Sequence, residues 1–254
     1  MQILYNNLID GATVSASSVQ SGYPIENIQD YHLSKKYSSD ATSGSITIDL
    51  GSAQLIDDFT ICGTNITSSA TTFNLEGSDD GGTADVTFPF VLHDNGYATV
   101  QDMNSTYRYW KIVYNDTTIP TFLVGYVFLG TNLQMPGVSP DVSLQYKVNT
   151  GVQFSVTNQT YSDTGIQYFS SSFNFPHITD YPHFVNGKAT ATRNQIVEFW
   201  QDNQGAKPIV LYIWADNFER FPPVLGMITQ NSMDFKFDKT QSYTSMKFNF
   251  TETL

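Results

Sequence analysis

Apolar and polar positions alternate with a period of two through most of the chain, in short runs broken by Gly, Asn, Asp and Ser, a pattern that predicts β-strands joined by tight turns. The clearest runs in the first half are Ser45 to Leu50, Gln54 to Ile61, Thr72 to Gly77, Tyr107 to Tyr114 and Leu123 to Gly130. Asp79-Asp80-Gly81-Gly82 reads as a hairpin turn, and no helical periodicity appears before residue 135. The Gln134 to Asp141 stretch holds two prolines and a glycine and predicts a linker over 134–143. Alternation then resumes at 144–148, 152–156 and 166–175. A helix is predicted over about 193–204, with Thr192 and Gln195 as a capping box, Ile196, Phe199 and Trp200 as its apolar face, and Gly205 as its C-cap. The unbroken apolar run Pro208 to Trp214 predicts a strand buried on both faces, and Val224 to Ile228 a further strand. Met233 to Phe237 and Ser245 to Phe250 predict a closing hairpin, with Phe235, Phe237, Phe248 and Phe250 in reach of cross-strand packing.

These runs predict an all-β-dominated chain of two domains: a β-sandwich over 1–133, the linker, and a β-rich domain with one helix over 144–254. With 254 residues, either one large or two ordinary domains would bury an adequate core.

Composition narrows the function more than it narrows the fold. Charged residues are only 14 % of the chain and the formal net charge is -12, a field that repels phosphates and argues against nucleic acid or an anionic membrane as partner. No basic and apolar leader opens the sequence and no run reaches the length of a membrane span, which predicts a soluble product made in the cytoplasm without a signal peptide. The single cysteine, Cys62, sits in a strand-like run and reads as a small buried hydrophobe.

Catalytic chemistry finds little to build on. The histidines His32, His93, His177 and His183 are scattered without metal-ligand spacing, and no nucleophile elbow, P-loop or dinucleotide fingerprint is present. The acidic pairs Asp57-Asp58 and Asp79-Asp80 read as turn or strand-edge residues, and Asp216 and Glu219 fall in a proline-flanked loop. No enzyme, metal or cofactor is predicted.

Several segments of the first half, in order, resemble the discoidin or coagulation factor 5/8 type C family of galactose-binding-like jelly rolls. They are Ala16-Ser17-Ser18, Gly22-Tyr23-Pro24 with Asn27-Ile28 and Asp30, Ile46 to Gly51 followed by Ile56 and Phe59, Leu75 to Gly81, Tyr107 to Ile112, and Val127 to Gly130. The resemblance implies a jelly roll whose end loops hold glycans or lipid head groups. By order, the corresponding loop is Asp30 to Tyr37, and Tyr31, His32 and Tyr37 read either as an aromatic platform for a sugar or as ordinary loop and core-edge residues. The sequence departs from the family in having Tyr37 where a tryptophan is common. It also lacks an evident acidic residue near Gly125-Tyr126-Val127, where the family's structural calcium would need one.

The second half, with its long alternating strands, its capped helix feeding Lys207 to Tyr212 and its terminal hairpin, resembles β-rich domains of tailed-bacteriophage tail and tail-tip proteins. That resemblance implies a virion structural protein, a minor tail or tail-tip component. It would form a symmetric oligomer with itself and other tail proteins, and its jelly roll would project toward host-surface glycans. The alternative is a carbohydrate-binding module or adhesin that acts alone.

Overall fold

The computed structural model describes residues 1–136, 143–148, 152–154, 160–162, 167–185, 188–203, 207–213, 222–229, 235–237 and 244–252. It is β-dominated with one α-helix among the described residues, in agreement with the alternating pattern. The chain divides into two compact units, Met1–Gln134 with Ile209–Leu225, and Met135–Pro208 with Gly226–Leu254. Residues 209–225, which the sequence pattern groups with the second half, belong to the first unit. Of the expected linker, 137–142 lie outside the described residues.

The strands of the first unit are β1 (Gln2–Tyr5), β2 (Thr13–Ala16), β3 (Tyr37–Ser38), β4 (Ser43–Ile56), β5 (Asp58–Cys62), β6 (Thr72–Ser78), β7 (Val86–Pro89), β8 (Val91–His93), β9 (Tyr97–Val100), β10 (Ser105–Asn115), β11 (Leu123–Val124) and β12 (Tyr126–Gln134). One sheet runs β2-β4-β10-β6-β7, and all its pairs are antiparallel. The other places β1 beside β12, β12 beside β5, β5 beside β9 and β9 beside β8. Ile46, Ile48, Leu75, Trp110 and Ile112 from the first sheet and Phe59, Ile61, Val127 and Leu129 from the second are all fully buried in one apolar cluster, which makes this unit a β-sandwich.

The alternation expected in Ile46-Thr47-Ile48 is met because each isoleucine faces the opposing sheet. Gly51, just past the predicted run Ser45 to Leu50, does not end the strand. With φ at +76° and its N–H donated to Asp49 Oδ1 at 2.8 Å, it turns the chain inside β4. The strand then resumes against the same neighbour: Asp49 pairs with Tyr109 and Gln54 with Tyr107, so residues 50–53 form an unpaired excursion opposite a register shift in β10. That shift lets Trp110 point into the core while Arg108 reaches Asp49 outside it, at 2.7 and 2.8 Å.

The returning segment supplies a further strand. Ile209–Tyr212 is antiparallel to β1, with Gln2 opposite Tyr212 and Leu4 opposite Val210, and all four of its residues are buried, as their unbroken apolar run predicts. Trp214 lies outside the described residues. Tyr212 also shares a hydrogen bond with Thr60 on β5, and Leu225 donates its N–H to Tyr97 on β9 at 3.2 Å. This segment therefore covers Thr60 and Tyr97 of the β12-β5-β9 sheet and supplies each with a hydrogen bond where it buries them.

In the second unit the strands are β13 (Ser143–Val148), β14 (Val152–Phe154), β15 (Thr160–Ser162), β16 (Gln167–Ile178), β17 (Phe184–Val185) and β18 (Lys188–Ala189). The helix α1 (Arg193–Asn203) follows; with the strand already described as β19, the remainder are β20 (Val224–Ile228), β21 (Phe235–Phe237) and β22 (Thr244–Glu252). β16 lies between β13 and β22, and β22 also pairs with residues Gly226 to Ile228 of β20. The capping box forms as read: Thr192 donates its N–H to Gln195 Oε1 at 2.9 Å and Gln195 donates its own to Thr192 Oγ1 at 3.4 Å. Ile196 and Phe199 are buried and Trp200 half-buried. The hairpin of β21 and β22 is present, and among the described residues rings from β16 pack on Phe248 and Phe250. Phe173 and Phe175 lie 5.2 and 5.6 Å from Phe248, and Phe169 lies 6.1 Å from Phe250. The side chains of Phe235 and Phe237 lie outside the described residues.

Candidate functional site

The loop between the 3-10 turn Ile25–Gln29 and β3 carries the candidate residues. Ile25 and Ile28 bury their side chains and so fix the turn to the core, and Gln29 Nε2 donates to the carbonyls of Ile9 and Ala12 at 2.7 and 3.0 Å. Asn27 Nδ2 closes the loop by donating to the Lys36 carbonyl at 2.8 Å, and Lys35 N–H donates to the His32 carbonyl at 2.9 Å. Leu33 is the loop's apolar foot. It packs over Gly63 and Gly125, where a Cβ on Gly125 would stand 3.1 Å from Leu33 Cδ2 and 2.9 Å from the Cys62 carbonyl. A residue without a Cβ is needed there for the loop to seat.

On this base Tyr31 and His32 stack on each other, their centroids 4.3 Å apart and their planes 25° from parallel. Tyr31 is half-buried and His32 exposed. Asp30 holds the pair in place: Oδ1 accepts the His32 N–H at 3.0 Å and lies 2.5 Å from His32 Nδ1, while Oδ2 is 2.6 Å from Lys35 Nζ. The Lys35 ammonium, then the His32 N–H and ring, keep the Asp30 carboxyl well below the usual carboxylate range. The result is a two-ring platform beside an ionised carboxylate and an ammonium, with hydrogen-bonding groups of both signs next to an aromatic face.

Tyr37 stands apart from this group. It is fully buried, its hydroxyl donates to the Ser18 carbonyl at 2.6 Å, and burial pushes its ionisation far above the ordinary tyrosine value. It cannot offer a ring face to a ligand, and of the two readings it takes the core one. The physical reason is that the chain re-enters the sandwich at β3, where Tyr37 and Ser38 are both buried. Asp30 and Lys35 are the residues the aromatic reading overlooked. Their signal in the sequence is an acid and a base bracketing the two rings within one short loop.

The other candidate groups have structural roles. Asp58 is fully buried and accepts from the Asp102 N–H and from Asn132 Nδ2, both at 2.7 Å. Asp80 accepts the Gly82 N–H at 2.8 Å in the hairpin between β6 and β7, as the Asp/Gly run predicts. His93 Nε2 is 2.9 Å from Thr99 Oγ1, and burial lowers its pKa to about 4. Cys62 is buried and its thiol pushed upward by that burial. His183 is exposed, whereas the side chain of His177, and Asp216 and Glu219 entirely, lie outside the described residues. Among the described residues no three His, Cys, Asp or Glu side chains gather as a metal site would require.

No family model matches the chain, and no curated protein matches it. Solved structures do. A chitosan-binding module from a chitosanase/glucanase of Paenibacillus sp. IK-5 is 18 % identical, with a TM-score of 0.42 over 50 % of this chain and 100 % of that one. A module from Clostridium perfringens, solved in complex with GalNAc-β-1,3-galactose, is 17 % identical, with a TM-score of 0.41 over 50 % of this chain and 100 % of that one. A fucose-binding module of Streptococcus pneumoniae is 12 % identical, with a TM-score of 0.42 over 50 % of this chain and 98 % of that one.

Proposed function

We propose that the first unit is a glycan-binding module, with Tyr31 and His32 as the platform on which a sugar ring stacks and Asp30 and Lys35 as partners for its hydroxyls. The observation that carries this reading is the stacked ring pair held beside an ionised Asp30 and Lys35 on an otherwise well-anchored loop. Sugar sites commonly pair an aromatic face, which covers the apolar C–H side of the ring, with a few fixed polar groups that select hydroxyl positions. The chain binds in this reading and does not turn its ligand over. The tail-protein expectation rests on the sequence resemblance alone. The loop geometry favours the alternative of a carbohydrate-binding module.

A glycan array probed with the full chain, followed by titration calorimetry on its hits, tests the proposal. Tyr31→Ala is expected to weaken binding by about tenfold or more while the circular dichroism spectrum stays unchanged. Tyr37→Phe, which keeps the buried ring, is expected to bind as the parent does. An array without hits, or a Tyr31→Ala chain that binds its glycan undiminished, sinks the reading.

A further inference from the structure

The sequence Ser170-Ser171-Ser172 lies in the middle of β16, the strand that β13 and β22 flank in the second unit. Serine is a poor strand former, and consecutive serines in a central strand call for a reason. The register supplies one. Gln145, Ser170 and Thr251 stand in one row across the three strands, and Ser172 stands opposite Asn249 in the next. Because the two serines are short and Gln145, Lys147 and Asn249 are long, the sheet face is hollowed into a trough of about 300 Å³, with Gln145, Lys147, Ser170, Ser172, Asn249 and Thr251 among its walls. That volume is at the small end of small-molecule sites, suited to a ligand of one ring.

Below the trough, Phe173 and Phe175 of the same strand pack on Phe248, so the floor rests on a packed aromatic layer. A floor of this kind holds its polar groups in place before a ligand arrives. The walls combine hydroxyls and carboxamides, groups that both donate and accept, with the exposed Lys147 as the one charge among the lining residues. Ser172 lines the trough while its Oγ is buried with no hydrogen-bond partner among the described residues, so a turn of this short side chain toward the trough would gain it a bond to a hydroxylated ligand. The net charge of -12 opposes anions at a trough with a single ammonium.

We propose that this trough is a second binding site, for a neutral saccharide ring, independent of the loop site in the first unit. The test is to titrate the full chain carrying Tyr31→Ala with D-galactose, D-glucose and N-acetyl-D-glucosamine, and separately with inorganic phosphate, following backbone amides by NMR. At least one sugar is expected to bind saturably and to shift the amides of Ser170, Ser172 and Asn249. Adding Ser172→Val should weaken that binding by about tenfold, and Ser170→Tyr, which fills the hollow, should abolish it. Circular dichroism checks the fold of each; if Ser170→Tyr unfolds, Ser172→Val decides. Absence of saturable sugar binding, binding unchanged by Ser172→Val, or displacement of the sugar by an equal concentration of phosphate overturns the proposal. Because Tyr31→Ala is present throughout, these outcomes stand apart from failure of the loop site.

Discussion

Asp116 shows how much one buried side chain can organise. It is fully buried, and its two oxygens accept the N–H and hydroxyl of Thr67 at 2.9 and 2.7 Å and those of Thr118 at 2.9 and 2.5 Å, joining two loops. Burial acts to raise its pKa, but these four donors outweigh it and bring the group to about 2. Asp116→Ala leaves both N–H groups unpaired and is expected to cost about 3 kcal/mol by urea denaturation. His93 sets the pH response above that range. Its folded pKa of about 4 lies below the ordinary 6.5, so the unfolded chain binds the proton more tightly and acid favours unfolding. The stabilisation is complete above pH 6.5 and is lost as pH falls toward 4, by about 1–2 kcal/mol once solvent screening is allowed for. Between pH 7 and 4 the stability of His93→Gln should fall less steeply than that of the parent. Asp49, held at about 2 first by Arg108 and then by the Gly51 N–H, titrates with Asp116 only in stronger acid.

At the scale of elements, the loop that carries Tyr31 and His32 depends on a strand break. β11 and β12 are separated by Gly125, over which Leu33 packs. Gly125→Ala sets a methyl group 2.9 Å from the Cys62 carbonyl. The expected result is a loss of about 1–3 kcal/mol in stability together with weaker glycan binding, since the loop's apolar foot must lift. If melting temperature falls while binding is untouched, the loop is seated by its hydrogen bonds instead. Much of this level was legible beforehand. The capping box of Thr192 and Gln195 needs only local backbone geometry, so spacing alone revealed α1. The excursion at Gly51 was half legible: an Asp-Leu-Gly corner announces a turn, but whether the strand resumes against the same partner depends on β10, some 60 residues away. The β16 rings on Phe248 and Phe250 were not legible for a similar reason, because hairpin proximity says nothing about the strand on the other side of β22.

For the whole molecule, the division of the chain matters most. β1 is flanked by β12 and by Ile209–Tyr212, so a fragment cut after residue 134 leaves β1 with an open edge and uncovers Thr60 and Tyr97. Such edges invite aggregation. Light scattering and thermal melts should show the 1–134 fragment aggregating or melting well below the full chain, and a version with 209–225 tethered to it should recover. A fragment as stable as the intact chain would mean that the returning segment is dispensable.

The sequence by itself determined the β-dominated class, the position of most strands, the helix α1 and the low-charge polar surface, because each follows from local periodicity and composition. Tertiary structure alone decided that Tyr37 is core while Tyr31 and His32 stack on the surface, since alternation cannot say which face of a two-residue strand points inward. It also decided that Asp30 and Lys35 meet across that loop, that the serines of β16 line a hollow, and that residues 209–225 return to the first unit. The hollow and the return of 209–225 depend on strand register and on contacts between positions distant in the chain, and the loop arrangement on how a short segment turns against the core, none of which a local hydrophobic pattern specifies.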